Sequence, residues 1–368
     1  RTKRIPPNLF QGYTDRAGEI KPIPLHTCIH DIPQDSEIIL QCIRNTDLRD
    51  VIPQKTFYKK TVNPVTAIST LELGDNGCTQ TISEIDSEQA REIVKNKIFD
   101  FLEKNSKAEK AIVGISGGGD SNTLAEGLKN FSSNSKDKKE FLYFTIVFEP
   151  LWPQSAAKRA SQLCKENKMR HEIYGPEEIK SLLNMKEGID ECYKDFCEEF
   201  GHNTSHFFGT YLISLVARKL CRNHDTEEYI LGFNREDLLA ELLFSLMNGQ
   251  KPLAFPVRQF GEISLLMPLW EIPKLILDAC YPKYSLSNYQ EREDDSTFQR
   301  NIIYYLAHGI EDTYDNLGLT LMHGVQKLFA NNWAELKHDK DLDLYVSAYA
   351  EKSKIETMKN FLLKYFNI

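Results

Sequence analysis

Residues 113–122, Val-Gly-Ile-Ser-Gly-Gly-Gly-Asp-Ser-Asn, constrain the fold of this chain more than any other segment. They end the apolar run KAIVGIS (110–116), which reads as a short, fully buried strand, and lead into SNTLAEGLKNF (121–131), which reads as a helix. Three consecutive glycines, Gly117, Gly118 and Gly119, let the backbone curl with successive N–H groups pointing inward and no Cβ in the way. The first N–H groups of the following helix lack intrahelical partners and attract an anion. Ser116 and Ser121 add hydroxyl donors. The pattern therefore predicts a phosphate cradle beyond the carboxyl end of a strand, where open α/β sheets bind their ligands.

Gly114 and Gly119 have the spacing of a Walker A loop, but Asp120 stands where that motif needs a lysine. A carboxylate beside phosphates is sensible when a divalent ion lies between them, because Mg²⁺ favours one or two carboxylates plus phosphate oxygens. The loop thus predicts a Mg²⁺–nucleotide bound in a different way, with Asp120 near the metal between carboxylate and phosphates.

The flanking pattern predicts the fold class, an α/β doubly wound parallel sheet. Apolar runs at 110–116, 141–148, 171–175 and 228–233 alternate with helical periodicity at 87–105, 121–131, 155–167 and 206–220. Strands alternating with helices of this length imply right-handed crossovers. Ser87 is the expected cap of the first helix. Residues 1–85 are rich in proline, with strand-like EIILQCI and TAISTLEL and a turn at 74–77, and are read as an accessory region. Residues 86–255 form the nucleotide-binding domain. Strand signals fade beyond 255, so 256–368 is expected to be helical.

The 45 Lys+Arg against 53 Asp+Glu give a net charge of −8. A protein built to grip a phosphate backbone usually carries a basic footprint, which this total lacks. The eight cysteines are scattered without any C-x-x-C and read as reduced, cytoplasmic thiols. No run approaches the roughly 20 apolar residues of a membrane span, so no membrane partner is expected.

Ser116-Gly117-Gly118-Gly119-Asp120-Ser121 resembles the S-G-G-x-D-S signature of the N-type ATP pyrophosphatases, the PP-loop or adenine nucleotide alpha hydrolase-like enzymes. The resemblance implies that ATP adenylates a carbonyl-type oxygen with release of pyrophosphate, after which a nucleophile displaces AMP. It further implies that Gly114 and Ser116 to Asn122 hold the phosphates and that Asp120 takes part in catalysis and holds Mg²⁺. The end of the second strand, Val147 and Phe148, would line the adenine pocket. Core packing is the alternative for Phe148.

A second segment, Gly232-Phe233-Asn234-Arg235-Glu236-Asp237 running to Glu241, resembles the strand-to-helix stretch of tRNA 2-thiocytidine and lysidine synthetase-type enzymes, with Phe233 in place of their His. It implies a nucleotide contact at Gly232 and catalytic roles for Asn234 and Asp237. The competing reading has Asp237 stabilise the helix start. Arg300, before an amphipathic helix, resembles an anion-contacting Arg of those enzymes. Their C-x-x-C is replaced here by Asn203-Thr204-Ser205-His206, so an iron–sulfur cluster or persulfide relay lacks its usual ligands. Cys192 and Cys197 read as buried structural thiols. The pairs His26/His30 and His202/His206 read as solvated or capping residues.

Residues 60–175, with Asp75-Asn76-Gly77-Cys78 ahead of the loop, resemble N-acetyl-sugar amidotransferases of surface polysaccharide synthesis. Those enzymes take ammonia from a separate glutaminase. The expected activity is therefore AMP-forming amide or amine transfer to a small-molecule acceptor, a sugar of surface polysaccharide synthesis among the candidates. The alternatives are tRNA base modification (thiolation or lysidine-type ligation) and a catalytically silent ATP-binding regulator. A homo-oligomer stays open.

Overall fold

The structure is a computed structural model that describes residues 9–14, 20–22, 38–42, 66–74, 77–136, 138–149, 151–201, 205–291, 298–313, 316–330, 332–340, 342–347 and 352–367. In the accessory region β1 (Leu9–Thr14), β2 (Ile20–Pro22) and β3 (Ile38–Cys42) form one small antiparallel sheet. A separate hairpin pairs β4 (Thr66–Gly74) with β5 (Gly77–Ile85).

The chain then enters α1 (Ser87–Asn105), β6 (Lys110–Gly114), α2 (Gly119–Asn134), β7 (Glu140–Ile146), α3 (Gln154–Glu166) and β8 (His171–Tyr174). Helices α4 (Pro176–Leu182), α5 (Ile189–Phe200) and α6 (Ser205–Asn223) lead to β9 (Glu228–Ile230) and α7 (Arg235–Met247). An antiparallel pair, β10 (Val257–Phe260) and β11 (Ile263–Leu266), is followed by α8 (Lys274–Cys280), α9 (Pro282–Glu291), α10 (Phe298–Thr313) and α11 (Leu317–Phe329). The hairpin β12 (Leu336–Asp339) and β13 (Leu344–Ser347) and the helix α12 (Lys352–Tyr365) close the chain.

The central sheet has the order β10-β11-β9-β6-β7-β8, parallel except for β10. β6 and β7 are buried beyond their first residue, as strands covered on both faces must be. Their apolar side chains, with Leu124 and Leu128 of α2 and Leu212 and Val216 of α6, build one continuous core.

One local expectation is corrected. Asp86, not Ser87, caps α1: its carboxylate accepts from the amides of Glu88 and Gln89, and Gln89 accepts from the Asp86 amide in return. The region beyond 255 is mainly helical, as expected, and its described residues also include the short strands β10 to β13. β11 pairs in parallel with β9, so the central sheet runs past residue 255. The run ISLL is too short for periodicity to reveal a strand.

From β6 the chain winds outward through β7 to β8, then crosses back to β9 on the other side of β6. The loops that leave β6 and β9 therefore diverge, and this reversal of winding opens a crevice at the carboxyl ends of the two strands. Among the described residues no helix is long and apolar enough to cross a membrane.

Candidate active site

The loop after β6 is shaped by its neighbours. Gly117 has φ +76°, and a Cβ there would fall 2.1 Å from the Ala156 carbonyl oxygen, so no side chain fits. Arg159 of α3 donates to the Gly117 carbonyl at 3.1 Å and ties the loop to that helix. Gly118 is the N-cap of α2 in extended conformation and supplies no capping side chain. The N–H groups that open α2 are thus left for a ligand. Ser121 Oγ accepts from the Ser116 amide at 2.9 Å and bonds Ser116 Oγ at 2.9 Å, so these hydroxyls brace the loop.

Asp120 projects from the first turn of α2 into the crevice. One carboxylate oxygen accepts from Lys274 Nζ at 2.6 Å and the other from Asn234 Nδ2 at 3.2 Å. Lys274 also donates to Asp278 Oδ1 at 2.6 Å, so one ammonium serves two carboxylates. Its backbone amide donates to both oxygens of Glu236, at 2.9 and 2.8 Å, which fixes the start of α8 against the start of α7. The loops after β6 and β9 thereby meet across the crevice.

Asn234 caps α7. Its side-chain oxygen accepts from the Asp237 amide at 2.9 Å, and Asp237 accepts from the Asn234 amide at 3.1 Å. The second oxygen of Asp237 accepts from Tyr304 of α10 at 2.8 Å. The helix start is therefore anchored to α2 and to the C-terminal helices at once.

A cleft of about 1170 Å³ extends from this point. Small-molecule sites typically span about 300–1,000 Å³, so the cleft has room for a nucleotide and a second ligand. One end is formed by the loop, the other by one face of α6, one face of α7 and the β12–β13 hairpin. Both guanidinium groups at the far end are matched internally. Arg258 forms a two-pronged ion pair with Glu241, and Arg218 donates to the Asp343 carboxylate at 3.3 Å and carbonyl at 2.7 Å. Phe207, Phe244 and Tyr345 complete an aromatic wall.

Gly114, Ser116, Gly118, Gly119, Asp120, Ser121, Gly232, Asn234, Asp237 and Glu241 all line the cleft. Gly117 sits behind the loop against α3. Asn122 is 1% exposed, and both its amide atoms lack a partner among the described residues. Val147 and Phe148 do not line this cleft: Phe148 is fully buried, edge-on to Tyr193 and tilted against Phe208, and Val147 is also buried. The cleft wall there is formed by Phe144, Thr145, Ile146 and Glu149. Arg300 belongs to the first turn of α10, whose Ile303, Tyr304 and His308 reach the cleft. The Arg300 and His206 side chains lie outside the described residues, as do His26, His30, His202, the segment 203–204 and Asp75-Asn76.

Sequence reasoning missed Lys274. The (i, i+4) pair Lys274/Asp278 is legible within PLWEIPKLILD, but the partner Asp120 is 154 residues away.

Each carboxylate oxygen of Asp120 accepts one hydrogen bond and keeps a further lone pair, so Asp120 could still meet a divalent ion that arrives with a nucleotide. Among the described residues no group of three or more His, Cys, Asp or Glu could hold a metal. Nor does an iron–sulfur cluster fit the described cysteines. Burial raises the Cys164 thiol to about 11 and those of Cys192, Cys221 and Cys280 to about 12, so they stay protonated and inert. Cys192 and Cys197 are indeed buried free thiols.

No protein-family model matches the chain, and neither does any curated protein. In fold the chain is similar to the U34-tRNA thiolase NcsA from Methanococcus maripaludis with its [4Fe-4S] cluster, at 17% identity over 78% of this chain and 92% of that one, with a TM-score of 0.57. A weaker likeness, TM-score 0.34 at 15% identity over 76% of this chain and 94% of that one, is to the NH3-dependent NAD synthetase from Campylobacter jejuni subsp. jejuni NCTC 11168 in complex with the nitrate ion. The likeness to the thiolase shows a shared α/β fold and leaves the activity to be argued from the site.

Proposed function

We propose that the protein is an ATP-dependent, AMP-forming enzyme that activates a carbonyl-type oxygen of a small-molecule acceptor and transfers nitrogen to the carbon that bears it, giving an amide or amine. The observation that carries this reading is the uncapped start of α2 facing a lysine across the crevice between β6 and β9. Backbone N–H groups receive the terminal phosphates of ATP, and Lys274 supplies the cation absent from the loop itself.

In the first step the acceptor oxygen attacks the α-phosphorus. A new O–P bond forms, the bond to the bridging oxygen breaks, and pyrophosphate leaves with both bonding electrons. In the second, ammonia adds to the activated carbon, the C–O bond breaks, AMP departs, and the nitrogen loses a proton. Charge builds on the departing pyrophosphate, where fixed donors and Lys274 stabilise it most. Any Mg²⁺ enters as the nucleotide's own counter-ion.

The acceptor occupies the far end of the cleft, against Glu241 and the aromatic wall. Arg218 and Arg258 are already paired there, which suits a neutral small molecule better than a polyanion. A separate glutaminase is the proposed ammonia source, and the cytoplasm the proposed compartment. A second reading, tRNA modification, is favoured by the likeness to the U34-tRNA thiolase. The inert described thiols make ligation the better form of it than thiolation.

The test is incubation with α-labelled ATP, ammonium and either a small-metabolite extract or bulk tRNA. AMP and pyrophosphate formed with the metabolite extract support the first reading. AMP formed only with tRNA replaces it with the second. ADP and phosphate as products would reject both.

A further inference from the structure

Helix α9 lies across the start of α2, and its Ser285 meets Gly119, the first residue of that helix. The approach is so close that a Cβ on Gly119 would fall 2.1 Å from Ser285 Oγ. Ser285 is 2% exposed, and its hydroxyl has no hydrogen-bond partner among the described residues. Serines and threonines in helices commonly return the hydroxyl to the carbonyl one turn back. Thr123 does so to Gly119 at 2.9 Å and Ser245 to Glu241 at 3.0 Å. At Ser285 only the backbone amide makes that connection, to the Tyr281 carbonyl at 3.0 Å.

A buried hydroxyl without a partner costs stability, and alanine would fill the same space without that cost. The loop hydroxyls expected to meet phosphate, those of Ser116 and Ser121, are engaged with each other. Ser285 is the neighbouring hydroxyl left unspent, and it lines the cleft beside Gly118, Gly119 and Asp120. A phosphate oxygen accepts hydrogen bonds without donating, which matches an O–H with no acceptor.

We infer that Ser285 donates a hydrogen bond to the pyrophosphate portion of the bound nucleotide. This contact links the C-terminal helices to the occupancy of the loop. The inference rests on the reading that the loop binds ATP.

The experiment compares the full-length protein with Ser285→Ala by calorimetric titration with inorganic pyrophosphate and with ATP, and by thermal melting without ligand. Without ligand, Ser285→Ala melts at the same or a higher temperature, because an unsatisfied buried group is removed. It binds pyrophosphate about tenfold more weakly, and pyrophosphate raises its melting temperature less. Equal affinity in the two proteins, whatever the melting temperatures, overturns the inference and leaves the ATP reading standing. Weaker binding together with a lower melting temperature also overturns it, because the hydroxyl would then be a structural part of the loop's support. Failure of the unmodified protein to bind either pyrophosphate or ATP overturns the ATP reading and this inference with it.

Discussion

The parallel sheet carries a lysine–carboxylate cluster at each end, and the two are balanced differently. At the amino ends of the strands, Glu228 accepts from Lys139 Nζ at 2.6 Å, Ser106 Oγ at 2.5 Å, and the amides of Lys107 and Ala108 at 2.6 and 3.0 Å. Both charged side chains are almost wholly buried, 5% and 6% exposed. At the carboxyl ends one ammonium, Lys274, faces two carboxylates, and its side chain and that of Asp120 are 19% and 24% exposed. The first cluster is closed: one acid, one base and every lone pair taken up. The second has acid in excess and opens on a cleft. The residue types are shared, so their balance and exposure distinguish a clamp from a binding site.

Breaking the closed cluster produces the largest effect. Removing one member of a buried ion pair strands the other, at about 3–5 kcal/mol. Glu228→Ala is expected to lower unfolding free energy by that amount in urea titration. A loss below about 1 kcal/mol would show that the cluster is not a clamp. Its pH dependence follows from Glu228. Burial pushes its carboxyl up, but hydrogen bonds from Lys139, Ser106 and the amides of Lys107 and Ala108 outweigh this and hold it below its ordinary 4.5. A depressed carboxyl contributes stability that is fully present above about pH 4.5 and is lost as pH falls toward its folded value. Glu228→Gln should therefore flatten the acid limb of the melting curve.

The open cluster responds in the other observable. Lys274→Met is expected to weaken ATP binding about a hundredfold, about 2.8 kcal/mol, because two carboxylates would then face the phosphates uncompensated. Its partly exposed ion pairs add little to folding, so stability should change by about 1 kcal/mol or less. Unchanged ATP affinity in titration calorimetry would erase the distinction between the two clusters.

The two ends also differed in how far the amino-acid sequence revealed them. The Gly117–Gly119 nest and its strand–helix context were legible because the chemistry is local: consecutive residues, one backbone conformation, one helix start. The alternation of apolar runs and amphipathic stretches likewise disclosed the doubly wound sheet. Lys274, Ser285 and Tyr304 were not legible, because each acquires its role from a partner more than sixty residues away. Lys139 and Glu228 sit at strand starts, where charged residues are ordinary, and nothing local reports that folding buries them together. Phe148 kept two readings open, because an aromatic at a strand end reads the same whether it packs inward or lines a pocket. β11 escaped because its four residues are too few to set up a readable period.

A smaller effect is expected at the hinge between the open cluster and α7. Asn234→Ala removes an N-cap, about 1 kcal/mol by urea titration, together with the donor that steadies Asp120. ATP affinity should fall several-fold, far less than with Lys274→Met. If the two variants weaken binding equally, Lys274 acts by positioning Asp120 and not as the cation for phosphate.

The smallest effect is expected at Asp237, where the sequence allowed both a catalytic and a helix-starting role. Its two oxygens accept from the Asn234 amide and from Tyr304, and an asparagine side chain can take at most one of these two bonds through its oxygen. The Tyr304 hydroxyl can turn to donate elsewhere or accept from the new amide, so the capping bond is the one to preserve. As a helix anchor, Asp237→Asn should cost only a few tenths of a kcal/mol, with AMP formation within about threefold of the unmodified enzyme. A residue that moves a proton in the rate-limiting step would instead lose about 10²–10⁴-fold on the same substitution, because an amide cannot take up the proton. A loss of that size at unchanged melting temperature would move Asp237 from the scaffold into the chemistry. It would also extend the open cluster one helical turn along α7, toward Glu241 and the acceptor end of the cleft.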